Sequence, residues 1–97
     1  MNLEIKAVHF TLKDESKEYL EKKIGKFHNA ENTIIDLLIT LSKDAKEFEA
    51  EATVNFRWGL SSHVKERDVE LNPAIDKLID ALSAKIHKEK EKFQEKR

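Results

Sequence analysis

Residues Phe48 to Trp58 alternate without interruption. Phe48, Ala50, Ala52, Val54, Phe56 and Trp58 occupy one phase; Glu49, Glu51, Thr53, Asn55 and Arg57 occupy the other. Successive side chains of a strand point to opposite faces, so this segment is a strand with one dry and one wet face. The sheet it belongs to needs an amphipathic cover on its dry side. From Asn72 to Phe93, Ile75, Leu78, Ile79, Leu82, Ile86 and Phe93 recur at helical spacing and supply that cover. Asn72 reads as the helix cap and Pro73, which has no amide to leave unpaired, as the first helical residue. A second helix is expected from about Thr11, or a near neighbour acting as cap, to about His28. Its buried stripe is Leu12, Ser16, Tyr19, Leu20, Ile24 and Phe27. Asp14 and Glu15 suit the positive end of its dipole.

The remaining segments fill in an order. Residues 3–9 alternate as a short strand, and 28–32 form a polar break. Residues 33–43 are nearly apolar on both faces and read as a central strand, with Ile35, Leu37, Ile39 and Leu41 turned toward the helices. Residues 44–47 turn the chain, Gly59 reverses it again, and 60–65 form a shorter fourth strand followed by a polar loop over 66–71. The fold class is α+β: a β-α-β-β-β-α domain over residues 1–97, with its last four residues frayed. Its mixed sheet has four strands and both helices on one face. The strands joined across the first helix should be parallel with a right-handed crossover, and the other connections antiparallel.

Composition excludes much. The formal net charge is −1, so any affinity for a polyanion must come from local clustering. There is no cysteine, hence no disulfide, thiol nucleophile or zinc–thiolate site. The N-terminus lacks a signal-peptide core, and no apolar run is long enough to span a bilayer. His9, His28, His63 and His87 fall on separate elements, and Asp76 and Asp80, one helical turn apart, have no histidine beside them; no metal is expected. Ser61, Ser62 and His63 lack a glycine-framed elbow, and neither Gly25 nor Gly59 belongs to a phosphate-cradling loop. The chain reads as no enzyme and as needing no cofactor.

The lysines remain. Lys22, Lys23 and Lys26 crowd the end of the first helix; Lys77, Lys85, Lys88 and Lys92 lie along one stripe of the second, with Lys90 nearby. Residues 85–97 hold six basic side chains against three acidic ones. Helix-end electrostatics accounts for the first set, and pairing with Glu89, Glu91 and Glu95 accounts for the second. Laid side by side, however, the helices could join both sets into one basic patch facing nucleic-acid phosphates. Glu47, Glu49 and Glu51, with Asp44, make an acidic open sheet face that should point away from phosphate. Trp58 reads as closing the end of the core, or with Arg57 as an exposed stacking group.

These segments resemble, collinearly and over nearly the whole chain, the ribosome hibernation-promoting factor family, also called ribosome-associated inhibitor or protein Y. The opening NLEIKAVHFTL, the helix DESKEYLEKKIGKFHN, the strand EAEATVNF, the helix PAIDKLIDAL and the ending KEKEKF carry the likeness. The resemblance implies a domain that binds the small ribosomal subunit and its 16S ribosomal RNA in the messenger and transfer RNA channel. It implies that translation is silenced in starved or stationary cells, a stress response in the cytoplasm. Carried over by position, the RNA-binding residues are Lys23, Lys26, Lys85, Lys88, Lys90 and Lys92; Lys22 is added on spacing alone. Contacts to about six phosphates would make binding fall roughly 10³-fold between 50 and 200 mM salt. Family members often have lysine and arginine where this chain has Ala81 and Ala84, and tyrosine where it has Asn72. The chain resembles the family's short form, expected to be monomeric off the ribosome and to have a second small hibernation factor as a further partner. An alternative stays open: a protein-interaction module of the same fold without direct RNA binding, suggested by the near-neutral charge and the acidic strand.

Overall fold

The computed structural model describes residues 1–30 and 32–95, with the side chains of 1–27 and 32–92. Strand β1 (Asn2–Val8) leads to helix α1 (Asp14–Ile24) and a 3-10 segment (Gly25–Ala30). Strands β2 (Ile34–Lys43), β3 (Phe48–Phe56) and β4 (Ser61–Asp68) follow, and helix α2 (Leu71–Glu95) ends the chain. The sheet order is β1-β2-β3-β4, with β1 parallel to β2 and the other pairs antiparallel. This is the β-α-β-β-β-α arrangement read from the alternation, with both helices on one face.

The dry phase of β3 behaves as its spacing demands: Ala50, Ala52, Val54 and Phe56 are buried. Cross-strand register sets Leu37, Ile39 and Leu41 beside Val54, Ala52 and Ala50. The helices close this layer with Leu20, Ile24, Ile75, Leu78, Ile79, Leu82 and Ile86, all in one core cluster. Each fully buried Leu or Ile stabilises the fold by about 1.5–3 kcal/mol. Trp58 packs against the same cluster, so it does close the core's end.

Several expectations are corrected. Ile35 does not face the helices. It is 45% exposed, whereas Ile34 is fully buried. Ile34 pairs with Phe56 and Asp36 with Asn55, so β2 carries one extra residue there: a bulge that flips the phase N-terminal to it. Helix α1 starts later than Thr11, with Lys13 at the cap position and no side-chain cap; Lys17 N–H donates to Lys13 O at 3.0 Å. It ends at Ile24, and the stretch to Ala30 tightens into 3-10 geometry. Strand β3 stops at Phe56, leaving Arg57 and Trp58 in the turn with Gly59 at φ 88. A side chain at Gly59 would meet no atom within 4 Å, so its cost would be backbone strain alone, about 1–2 kcal/mol. Strand β4 runs on to Asp68 through residues read as loop. Helix α2 begins at Leu71, not after an Asn72 cap. The start is organised by Asp68, whose Oδ1 accepts Glu70 N–H at 3.0 Å, and Ala74 N–H bonds Glu70 O at 3.2 Å. Pro73 still sits in the first turn, where its missing amide costs nothing. Fraying is expected of the last four residues, but Gln94 and Glu95 continue α2; Lys96, Arg97 and the Phe93 side chain lie outside the described residues.

Chain direction decides where the functional groups lie. Tyr19 and Lys23 of α1 meet Asp76 of α2, and Lys26 meets Asp80, so the helices run the same way. The 3-10 segment leads from α1 into β2, whose first residue pairs with the last of β3. The start of β2 and the β3–β4 turn therefore share the end toward which both helices run, while the last turn of α1 lies level with Asp76 and Asp80 in the first half of α2. The 25 residues of α2 span about 37 Å, against about 26 Å for the eight of β4 that it follows back. Its last turns overshoot the sheet, in keeping with a longest dimension of 47 Å.

Candidate nucleic-acid interface

Lys22 and Lys23 occupy the last turn of α1, and Lys26 follows in the 3-10 segment. All three border one groove, with Tyr19. Lys23 Nζ lies 3.6 Å from Asp76 Oδ1 and 5.4 Å from the centre of the Tyr19 ring. Lys26 Nζ lies 4.0 Å from Asp80 Oδ1. The Tyr19 hydroxyl donates to Asp76 Oδ1 at 2.5 Å. That hydrogen bond to a carboxylate, helped by desolvation and the carboxylate's charge, raises the phenol above its ordinary value of 10.0. The seam between the helices is thus a polar clasp with Asp76 at its centre.

The lysines of α2 mostly lie on its other flank. Lys77 bridges to Asp68 at 3.0 Å and donates to Arg67 O at 3.1 Å, so its stripe faces β4. At roughly 100° per residue, Lys85, Lys88 and Lys92 fall within about 80° of Lys77. Asp76 and Asp80 fall to the opposite side, roughly 60–100° away, and Lys90 further round toward α1. His87 and Glu91 continue the Asp76–Asp80 stripe and pair with each other at 3.0 Å. The two lysine sets therefore do not fuse into an uninterrupted patch. They are two flanks of an acidic ridge, the α1 set level with Asp76 and Asp80 and the α2 set farther along that helix. Ala81 and Ala84 leave an uncharged gap between Asp80 and Lys85.

Among the described residues, Lys22, Lys85, Lys88 and Lys90 hold no ion pair, whereas Lys92 pairs with Glu89 at 3.8 Å. Four of the seven expected contact residues thus carry uncompensated charge, and Lys23 and Lys26 are partly compensated from within.

The open sheet face is not the acidic surface expected. Glu51 pairs with His63 at 3.0 Å, Glu49 with Lys65 at 3.6 Å, and Arg67 reaches Glu49 at 2.6 Å, Glu47 at 3.4 Å and Asp44 at 4.0 Å. The hydrogen bond to Glu47 and the charge of Glu49 raise the Arg67 pKa further above its ordinary value. Those partners come from β4, part of which had been read as loop. A row of hydrogen bonds crosses all the strands at one register level. Asn2 donates to Asp36 at 3.2 Å, Asn55 donates to Asp36 at 3.4 Å, and Ser61 donates to Asn55 at 2.6 Å. Among the described residues no group of three His, Asp or Glu side chains is placed to hold a metal ion. Among the described residues no helix is long and apolar enough to cross a membrane.

A family model described as Sigma 54 modulation protein / S30EA ribosomal protein matches residues 3–94. No curated protein sequence matches the chain. Among solved structures, the Protein Y N-terminal domain from Thermus thermophilus is 26% identical, with a TM-score of 0.77 over 89% of this chain and 96% of that one. A ribosomal subunit interface protein from Coxiella burnetii superposes with a TM-score of 0.85 over 93% of this chain and 98% of its own; at 17% identity it speaks to the fold alone.

Proposed function

The chain belongs to the Sigma 54 modulation protein / S30EA ribosomal protein family, and on that premise we propose that it is a non-enzymatic, ribosome-associated factor that docks on the small subunit through ribosomal RNA. The observation that carries this reading is the run of cations along the helical layer. The last turn of α1 and the 3-10 segment set Lys22, Lys23 and Lys26 beside the first half of α2, and its second half carries Lys85, Lys88, Lys90 and Lys92 onward past the sheet. Phosphate contacts supply affinity without reading sequence, which suits a surface of flexible ammonium groups. The mechanism is steric. A body of 47 × 21 × 18 Å held by those cations fills the messenger and transfer RNA path and keeps the ribosome idle. This role belongs to the cytoplasm of starved or stationary cells.

Co-sedimentation with purified small subunits over a salt series tests the proposal. Binding should be tight at low salt and weaken steeply as salt rises. The Lys85→Glu, Lys88→Glu variant should lose pelleting with an unchanged circular dichroism spectrum, because both side chains are without ion pairs among the described residues. Binding indifferent to salt, or absent at the lowest salt, would count against the reading. Partners that survive nuclease treatment of a lysate would point instead to a protein-interaction module.

A further inference from the structure

The β3–β4 turn carries an aromatic and a cation that stand outside the lysine sets. The Trp58 ring lies flat against Phe56, with centroids 4.9 Å apart and planes 8° from parallel. Phe56 is buried, so the indole rests on a fixed floor. Part of the Trp58 side chain lines a groove of about 230 Å³ together with Asn32, Thr33 and Arg57. That is below the ~300 Å³ at which drug-sized sites begin, and it suits a single planar ring. The groove is braced by the backbone, since Arg57 N–H donates to Thr33 O at 3.0 Å. Arg57 is exposed and has no ion pair among the described residues. Its β3 neighbours in the same phase differ, as Glu49 and Glu51 are paired with partners on β4. Asn32, also exposed, adds an amide able to donate and accept at the groove's rim.

A flat aromatic on a rigid floor, an uncompensated guanidinium beside it and an amide at the rim form the chemistry that takes one nucleotide: base on ring, phosphate on cation. The turn also lies at the end of the sheet that the second half of α2, with Lys85, Lys88 and Lys92, reaches and overshoots. We propose that the β3–β4 turn is a stacking site for one unpaired nucleobase of RNA, with Trp58 as platform and Arg57 as phosphate ligand. The inference rests on the RNA-docking reading above and adds to it a preference for unpaired over fully duplex RNA. The duplex phosphates would satisfy the lysines but leave this groove empty.

Trp58 is the chain's sole tryptophan, so its emission reports on this site alone. Titration of the full chain with a short oligoadenylate should quench that emission. An abasic ribose-phosphate oligomer of equal length should bind more weakly and leave the emission unchanged. Trp58→Ala should weaken oligoadenylate binding, followed by anisotropy of an end-labelled strand, roughly tenfold or more, with Trp58→Phe in between. Arg57→Gln, a surface change, should lower the salt slope by about one. Should Trp58→Ala fail to fold, Trp58→Phe and Arg57→Gln carry the test. Labelled RNA that binds without changing the emission, or abasic polymer that quenches equally, overturns the stacking site while leaving small-subunit pelleting intact. Failure of both RNA binding and pelleting overturns this inference and the RNA-docking reading together.

Discussion

Replacing the ridge carboxylates, Asp76→Asn with Asp80→Asn, should strengthen RNA binding even though it removes two ion pairs. Both pairs are at the surface: Lys23 and Asp76 side chains are 43% and 46% exposed, Lys26 and Asp80 46% and 83%. Exposed pairs are worth about 0–1 kcal/mol each, so the stability loss is small. An asparagine at position 76 can still accept the Tyr19 hydroxyl, which keeps the seam closed. The effect on binding follows from counterions. In the wild type Lys23 and Lys26 already face carboxylates, so a phosphate arriving there exchanges one anion for another and releases no salt ion. Four free lysines then set the slope of log K against log salt at about −3.6, equivalent to about a 150-fold loss between 50 and 200 mM. Freeing the other two raises the count to about six, the slope to about −5.4 and the loss to about 1,800-fold. The gain in affinity should be largest at the lowest salt. Anisotropy of a labelled small-subunit RNA fragment, titrated at several salt concentrations, measures both slopes. An unchanged or shallower slope in the double variant would refute the idea that the ridge holds the α1 lysines in check.

Two further predictions probe the framework. Tyr19 is the sole tyrosine, so absorbance near 295 nm follows its phenol alone; its midpoint should lie above 10.0 and move down in Asp76→Asn. Because the folded-state pKa is raised, the stability this contact contributes is present below the unfolded value and lost as pH rises through the folded one; a midpoint at or below the ordinary value would contradict the clasp. At the β2 bulge, Ile34→Ala should cost about 2–5 kcal/mol in urea unfolding, while Ile35→Ala, at an exposed position, should cost less than about 1 kcal/mol. Equal costs would mean the bulge is misplaced.

The alternation from Phe48 to Trp58 and the helical spacing of Ile75, Leu78, Ile79, Leu82 and Ile86 made strand order, helix cover and core membership legible without coordinates. Both patterns are local and arise from burial on one face, which leaves its trace residue by residue. Where neighbouring strands decide the geometry, that trace fades. Ile34 and Ile35 are the same residue type, and only the pairing of β2 with β3 tells which is inside. Glu66 to Asp68 look like solvated loop until Glu49 is placed across from Arg67, whereupon unlike charges extend the strand. The α2 start reads as Asn72 and Pro73 from sequence, but Asp68, four residues before Asn72 and held by Lys77, organises it.

The candidate interface divides along the same line. Sequence alone determined which lysines exist and that they cluster near helix ends. Tertiary structure decided their electrostatic state. Parallel packing of α1 against α2 brings Asp76 and Asp80 to Lys23 and Lys26 and, among the described residues, leaves Lys85, Lys88 and Lys90 without an ion pair. Charge is written in composition, but which charges cancel depends on distances between residues about 50 positions apart, and only the packed fold sets those distances.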